Sequence, residues 1–135
     1  MNLNKYEAVN EHRKMWAWIL EEVKRRFYYR DYDFNINQLK KIYMEQTYPY
    51  DKVSNKCFMC DYVYSKYDEL RCDKCLLHWN GSSSSPDTCL NNSKSPYYNL
   101  LLVGEEELRA NPYLRYKVLK WIEEMINLPV REVME

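Results

Sequence analysis

The sequence predicts a mainly α fold with a small zinc-stabilised module, and three observations lead there. Two long stretches, one near each end of the chain, repeat apolar residues at helical spacing. Between them, all five cysteines fall within residues 57–89, four of them as two Cys-x2-Cys turns. Strand signals are confined to a few short runs, so the long N-terminal and C-terminal amphipathic helices dominate the expected architecture. At 135 residues, 46% hydrophobic and 16% aromatic, the chain suits one domain over 1–135. Within it, 1–50 reads as a helical N-terminal part, 51–95 as the zinc-knuckle module and 96–135 as a C-terminal helical part.

The first helix is expected from Asn4 to Phe27. Tyr6, Val9, Trp16, Ile19, Leu20, Val23 and Phe27 share a stripe uninterrupted by Pro or Gly, and Asn4 with Glu7 forms a capping pair. His12 falls on that stripe, where a single histidine is more often packed or hydrogen-bonded than catalytic. Residues 10–30 hold six cations against three glutamates, a local net of +3. Lys24, Arg25 and Arg26 at the helix end complement its dipole, which is a purely structural explanation. Tyr28, Tyr29 and Arg30 extend the cluster with aromatic rings beside a guanidinium, so Arg25, Arg26, Tyr28, Tyr29 and Arg30 form the candidate partner surface.

A polar connection over Asp31–Asn37 leads to a second helix, Ile36 to Gln46, capped by Asn35 or Asn37. Leu39, Ile42, Tyr43 and Gln46 take one side; Lys40, Lys41 and Glu45 are assigned to the other. Thr47-Tyr48-Pro49 ends it. Farther on, Tyr62-Val63-Tyr64 reads as a short strand and Ser65–Leu70 as a turn. Gly81–Ser95 is a Ser/Asn-rich loop, and an apolar run from Tyr97 to Val103 stops at Gly104, where Glu105-Glu106-Glu107 begins a short helical turn. Asn111-Pro112 starts the last helix, striped by Leu114, Val118, Trp121, Ile122 and Met125 and stopped by Asn127-Leu128-Pro129.

Cys57-Phe58-Met59-Cys60 and Cys72-Asp73-Lys74-Cys75 each aim two sulfurs at one point, and two such turns close a tetrahedral thiolate site. One structural Zn(II) on Cys57, Cys60, Cys72 and Cys75 is therefore expected. His78 and Cys89 stand as reserve ligands, and Lys56, Arg71 and Lys74 can balance the thiolate charge. A redox dithiol, a disulfide or simply packed thiols are the alternatives. The opening Met1-Asn2-Leu3-Asn4-Lys5 carries no signal-peptide pattern and no apolar run reaches membrane length, so a cytoplasmic protein is expected. A reducing compartment favours metal over cystine.

The order Cys57-Phe58-Met59-Cys60-Asp61-Tyr62, Cys72-Asp73-Lys74-Cys75-Leu76-Leu77-His78-Trp79, Cys89, then Ser95-Pro96-Tyr97-Tyr98 resembles a group of small cysteine-rich proteins carried by bacteriophages. Members pair such a core with a tryptophan-bearing N-terminal helix, represented here by His12-Arg13-Lys14-Met15-Trp16. The likeness covers residues 10 to 100, and Leu76 stands where such proteins often have Pro. It implies a phage origin and action in the host cytoplasm, without implying an activity.

Enzyme chemistry finds little material. Only His12 and His78 are present, too few for a histidine-rich nuclease site. His78 is followed by Trp79 and Asn80 rather than the His-x-Glu of zinc deaminases, and two glycines cannot build a phosphate-cradling loop. The expected function is a non-enzymatic, zinc-stabilised module that binds a host protein, with no membrane and no small-molecule substrate. The alternative is a zinc-containing nucleic-acid binder using the basic end of the first helix. Twenty cations against twenty acids remove the global attraction to phosphate and favour the protein partner.

Overall fold

The computed structural model of the protein describes residues 3–50, 57–67, 75–77 and 95–130. Among these, the chain forms α1 (Lys5–Tyr28), α2 (Ile36–Thr47), α3 (Phe58–Tyr67), α4 (Pro96–Leu101), α5 (Glu105–Ala110) and α6 (Pro112–Ile126). The mainly α expectation holds. Strand pairing among the described residues is limited to one isolated antiparallel bridge between Leu77 and Val130.

α1 forms where the caps and the periodicity agree. The Asn4 side chain accepts from the Glu7 N–H at 2.9 Å, and the Glu7 carboxylate accepts from the Asn4 N–H at 3.0 Å, so two of the orphan N–H groups at the helix start are satisfied. Ala8, Val9, His12, Met15, Trp16, Ile19 and Val23 are buried, a single face repeated over five turns. Tyr6, expected on that face, is exposed in the first turn with Lys5 lying 5.5 Å from its ring centre. The buried stripe starts one turn later, at Ala8.

α1 packs most extensively on α6, and the other helices divide between these two: α2 and α3 contact α1, α4 and α5 contact α6. α6 begins as its Asn-Pro signal requires, with the Asn111 side chain accepting from the Leu114 N–H at 3.2 Å and Pro112 in the first turn. Val118, Ile122 and Met125 form its buried seam. His12 ties the pair together: Nε2 donates to the Met125 carbonyl at 3.0 Å, near the end of α6 where carbonyls lack helical partners. Trp16 fills the centre, edge-on to Tyr97 of α4 at 5.9 Å.

Three local expectations change. Tyr62-Val63-Tyr64 lies inside α3 rather than in a strand, because Phe58, Met59, Tyr62 and Val63 repeat at helical spacing and bury that face in the core. Packing of four side chains outweighs the modest β preference of a β-branched and aromatic triplet. The apolar run after Ser95 contains a helix, α4, whose Ser95 hydroxyl caps the Tyr98 N–H with Pro96 at its first position. Lys40, assigned to the polar side of α2, is buried with 3% exposure. The proposed loop over 81–95 lies outside the described residues apart from Ser95.

Candidate metal centre and partner surface

Cys57 immediately precedes α3 and Cys60 sits in its first turn, so the helix start brings the two sulfurs together. The Cys60 thiol hydrogen-bonds Cys57, and the N–H groups of Cys60 and Met59 also point at that sulfur. These bonds and the nearby Lys40 ammonium outweigh burial and lower the Cys57 thiol from 9.0 to about 6. A knuckle that aims backbone N–H groups at sulfur suits an anionic, metal-ligating thiolate. Cys75 is buried, flanked by Leu76 and Leu77 in the core. All three cysteines are free thiols.

The described part of the expected ligand set is thus a pair plus a third, separate thiol. Among the described residues, no three His, Cys, Asp or Glu side chains gather closely enough to hold a metal ion. Cys72, His78 and Cys89 lie outside the described residues, as do Lys56, Arg71 and Lys74. The residues present fit half of a tetrahedral thiolate site: converged sulfurs, stabilised as anions, at the start of a helix whose next two residues, Phe58 and Met59, are fully buried. Zinc bound there would supply a covalent cross-link between this helix start and the other ligand-bearing segment.

Lys40 was missed in the sequence. Its Nζ donates to the Tyr97 hydroxyl at 2.9 Å and lies 4.6 Å from that ring's centre, which joins α2 to α4. Tyr97 donates in turn to the Asn37 side-chain oxygen at 3.2 Å. No carboxylate pairs with Lys40 among the described residues. The signal for its burial is present in the sequence, since Ile36, Leu39, Lys40 and Tyr43 occupy the i, i+3, i+4 and i+7 positions of one face. Residue type had argued against it.

At the far end of α1 the five candidate partner residues separate into two kinds. Arg25 pairs with Glu22 at 2.5 Å; Arg26 reaches Glu22 at 3.1 Å and Asp31 at 3.5 Å and lies over the Phe34 ring at 5.6 Å. Arg25 and Arg26 together hold the Glu22 carboxyl below its usual range. Lys24 pairs with Glu21 at 3.5 Å. These cations therefore build the helix end. Tyr28 and Tyr29 instead project outward, 81% and 69% exposed, in edge contact at 5.1 Å.

Arg30 closes α1. The Arg30 N–H donates to the Phe27 carbonyl at 3.1 Å and the Asp31 N–H to the Arg26 carbonyl at 2.8 Å, the paired bonds of a left-handed helix stop. That stop puts Arg30 at φ 56, a conformation glycine adopts freely and arginine does not.

A second exposed aromatic face, which sequence reading did not single out, runs along α6. Tyr113 and Tyr116 are 65% and 55% exposed, and Lys117 lies over Tyr113 and Trp121 while Lys120 lies over Tyr116. Its i, i+3, i+4, i+7 spacing was readable in the sequence. An apolar cleft of about 280 Å³ lies between the start of α2 and α4 to α6, lined by Phe34, Ile36, Leu100, Leu108 and Val118 among others, with Asn35 and Asn37 as its polar side chains. No acid, base or nucleophile lines it among the described residues. No helix is long and apolar enough to cross a membrane among those residues. Comparison with protein-family models, curated proteins and solved structures finds no match.

Proposed function

We propose that the chain is a non-enzymatic, zinc-stabilised binding protein that docks on another protein through Tyr28, Tyr29 and Arg30. In the phage setting implied by the five-cysteine resemblance, the partner is a host protein. The observation that carries this reading is Arg30 held at φ 56 beside two exposed tyrosines. Strain retained at a surface position, where glycine would relieve it, points to a use for the side chain, and Tyr with Arg is the composition of interface anchors. The apolar cleft without titratable lining groups supports a binding role over catalysis.

Lys24, Arg25 and Arg26 already face Glu21, Glu22 and Asp31, which weighs against the basic helix end as a phosphate-binding surface. A nucleic-acid reading draws its support instead from α6, where rings and ammonium groups alternate on one face, as single-strand binders require.

Capture of partner proteins from host lysate by tagged wild type, Tyr29→Ala and Tyr113→Ala proteins, alongside a salt titration on single-stranded DNA and RNA, separates the two. The protein reading expects capture that Tyr29→Ala weakens at least tenfold with zinc content and melting temperature unchanged. Binding to nucleic acid that falls steeply with salt and disappears in Tyr113→Ala would replace it.

A further inference from the structure

A lysine ammonium is among the groups least often buried, because desolvation penalises the charge unless an anion compensates it. Lys40 is 3% exposed, and its observed partner is neutral: the Tyr97 hydroxyl, at 2.9 Å. The other titratable group nearby in the core, His12, is fully buried and donates to the Met125 carbonyl, so it offers no negative charge. No carboxylate pairs with Lys40 among the described residues. What shares its surroundings is the Cys57 and Cys60 pair, whose N–H-rich helix start is arranged for an anionic sulfur and lies within reach of the Lys40 charge. A metal ion with four thiolates carries a net charge of about −2, and its buried form requires outer cations as much as Lys40 requires an anion.

We infer that Lys40 is the charge-balancing cation of a metal-thiolate centre at Cys57 and Cys60, held in place by the Tyr97 hydroxyl. The inference rests on the zinc reading above and gives it a residue in the helical core. α2 contributes the charge and α4 the hydroxyl that orients it, so the helices on both sides of the α1 and α6 pair are tied to the metal. Tyr97 is itself fixed by its bond to Asn37 and by its edge contact with Trp16 at 5.9 Å. The tether is therefore built from residues on α1, α2 and α4.

The test compares zinc affinity of the full chain, by competition with a chromophoric chelator, for wild type, Lys40→Met, Lys40→Arg and Tyr97→Phe. Loss of an outer partner of this kind weakens metal binding by about 10-fold or more, so Lys40→Met should fall by that factor. Lys40→Arg, which keeps the charge, should stay within about threefold of wild type, with Tyr97→Phe between the two. Melting of the zinc-free proteins supplies the second measurement: Lys40→Met should melt no lower than wild type, since it removes a buried charge that zinc-free thiols compensate poorly.

Equal zinc affinity in wild type and Lys40→Met overturns the inference while leaving the zinc reading intact. A wild-type protein that binds no zinc removes the zinc reading, and the inference with it. A Lys40→Met chain that fails to fold without metal assigns Lys40 to packing alone and overturns the inference too.

Discussion

Arg30 and His12 show how single residues carry opposing demands. A non-glycine residue in the left-handed region costs about 1–2 kcal/mol, and Arg30 holds that conformation at φ 56 to complete the helix stop. Arg30→Gly should therefore raise the urea midpoint by the equivalent of about 1 kcal/mol while weakening partner capture. A glycine variant that is no more stable than wild type would show that the stop is unstrained. His12 bears a different cost. Burial, opposed by its bond to the Met125 carbonyl and assisted by Lys40 and Arg13, lowers its pKa from 6.5 to about 4. Between those values the unfolded chain takes up a proton that the folded chain refuses, so stability falls as pH drops from about 6.5 towards 4 and is unaffected by this group above 6.5. The full effect is ~3 kcal/mol. Urea melts of wild type and His12→Gln from pH 7 to 4 should show this loss in wild type alone, and parallel curves for the two would refute it.

Helices were legible where a cap and a periodic face coincided. Asn4 with Glu7, Asn35, and Asn111 with Pro112 each opened a helix where the sequence placed one, because a side-chain oxygen ahead of a buried stripe satisfies N–H groups nothing else can reach. Asn111 has a double task, accepting from the Leu114 N–H while its own N–H donates to the Glu107 carbonyl at the end of α5. Asn111→Ala should destabilise the protein by about 1 kcal/mol, read as a lower urea midpoint with the m-value unchanged. No change would mean that water replaces the cap. α3 was less legible because Tyr62-Val63-Tyr64 looks locally like a strand, and only the longer spacing from Phe58 to Val63 reveals the helical face. α4 went unread although Ser95-Pro96 has the same cap-then-proline grammar as Asn111-Pro112. Lys40 sat in an apolar slot of α2 but was assigned by its charge, and no local pattern could say that the core would receive an ammonium there. The converged half of the candidate metal site, Cys57 with Cys60, was written plainly in the cysteine spacing. The cation beside it was not, since that neighbour comes from tertiary packing.

Across the molecule, the helical core and the cysteine segment share side chains without depending on each other equally. α1 and α6 meet through Trp16, Ile19, Val23, Val118, Ile122 and Met125, all of them buried and all remote in sequence from the cysteines. Phe58, Met59, Leu76 and Leu77 are also buried, yet each adjoins or neighbours a cysteine and is held by segments that carry few other anchors. Metal binding of structural zinc contributes on the order of 10 kcal/mol in domains that have no other core. Here the paired helices bring a core of their own, so removing zinc should detach the cysteine segments before it melts α1 and α6. A strong chelator is expected to lower the melting midpoint and expose an apolar surface that binds a hydrophobic dye, while most of the helical circular dichroism at room temperature remains. Readdition of one equivalent of Zn(II) should restore the midpoint, and Cys57→Ser with Cys60→Ser should reproduce the chelated state. If the chelator leaves the midpoint and dye binding unchanged in protein shown to have contained zinc, the metal lies outside the architecture these helices build. Complete loss of helical signal would instead mean that α1 and α6 depend on Phe58, Met59, Leu76 and Leu77 being in place.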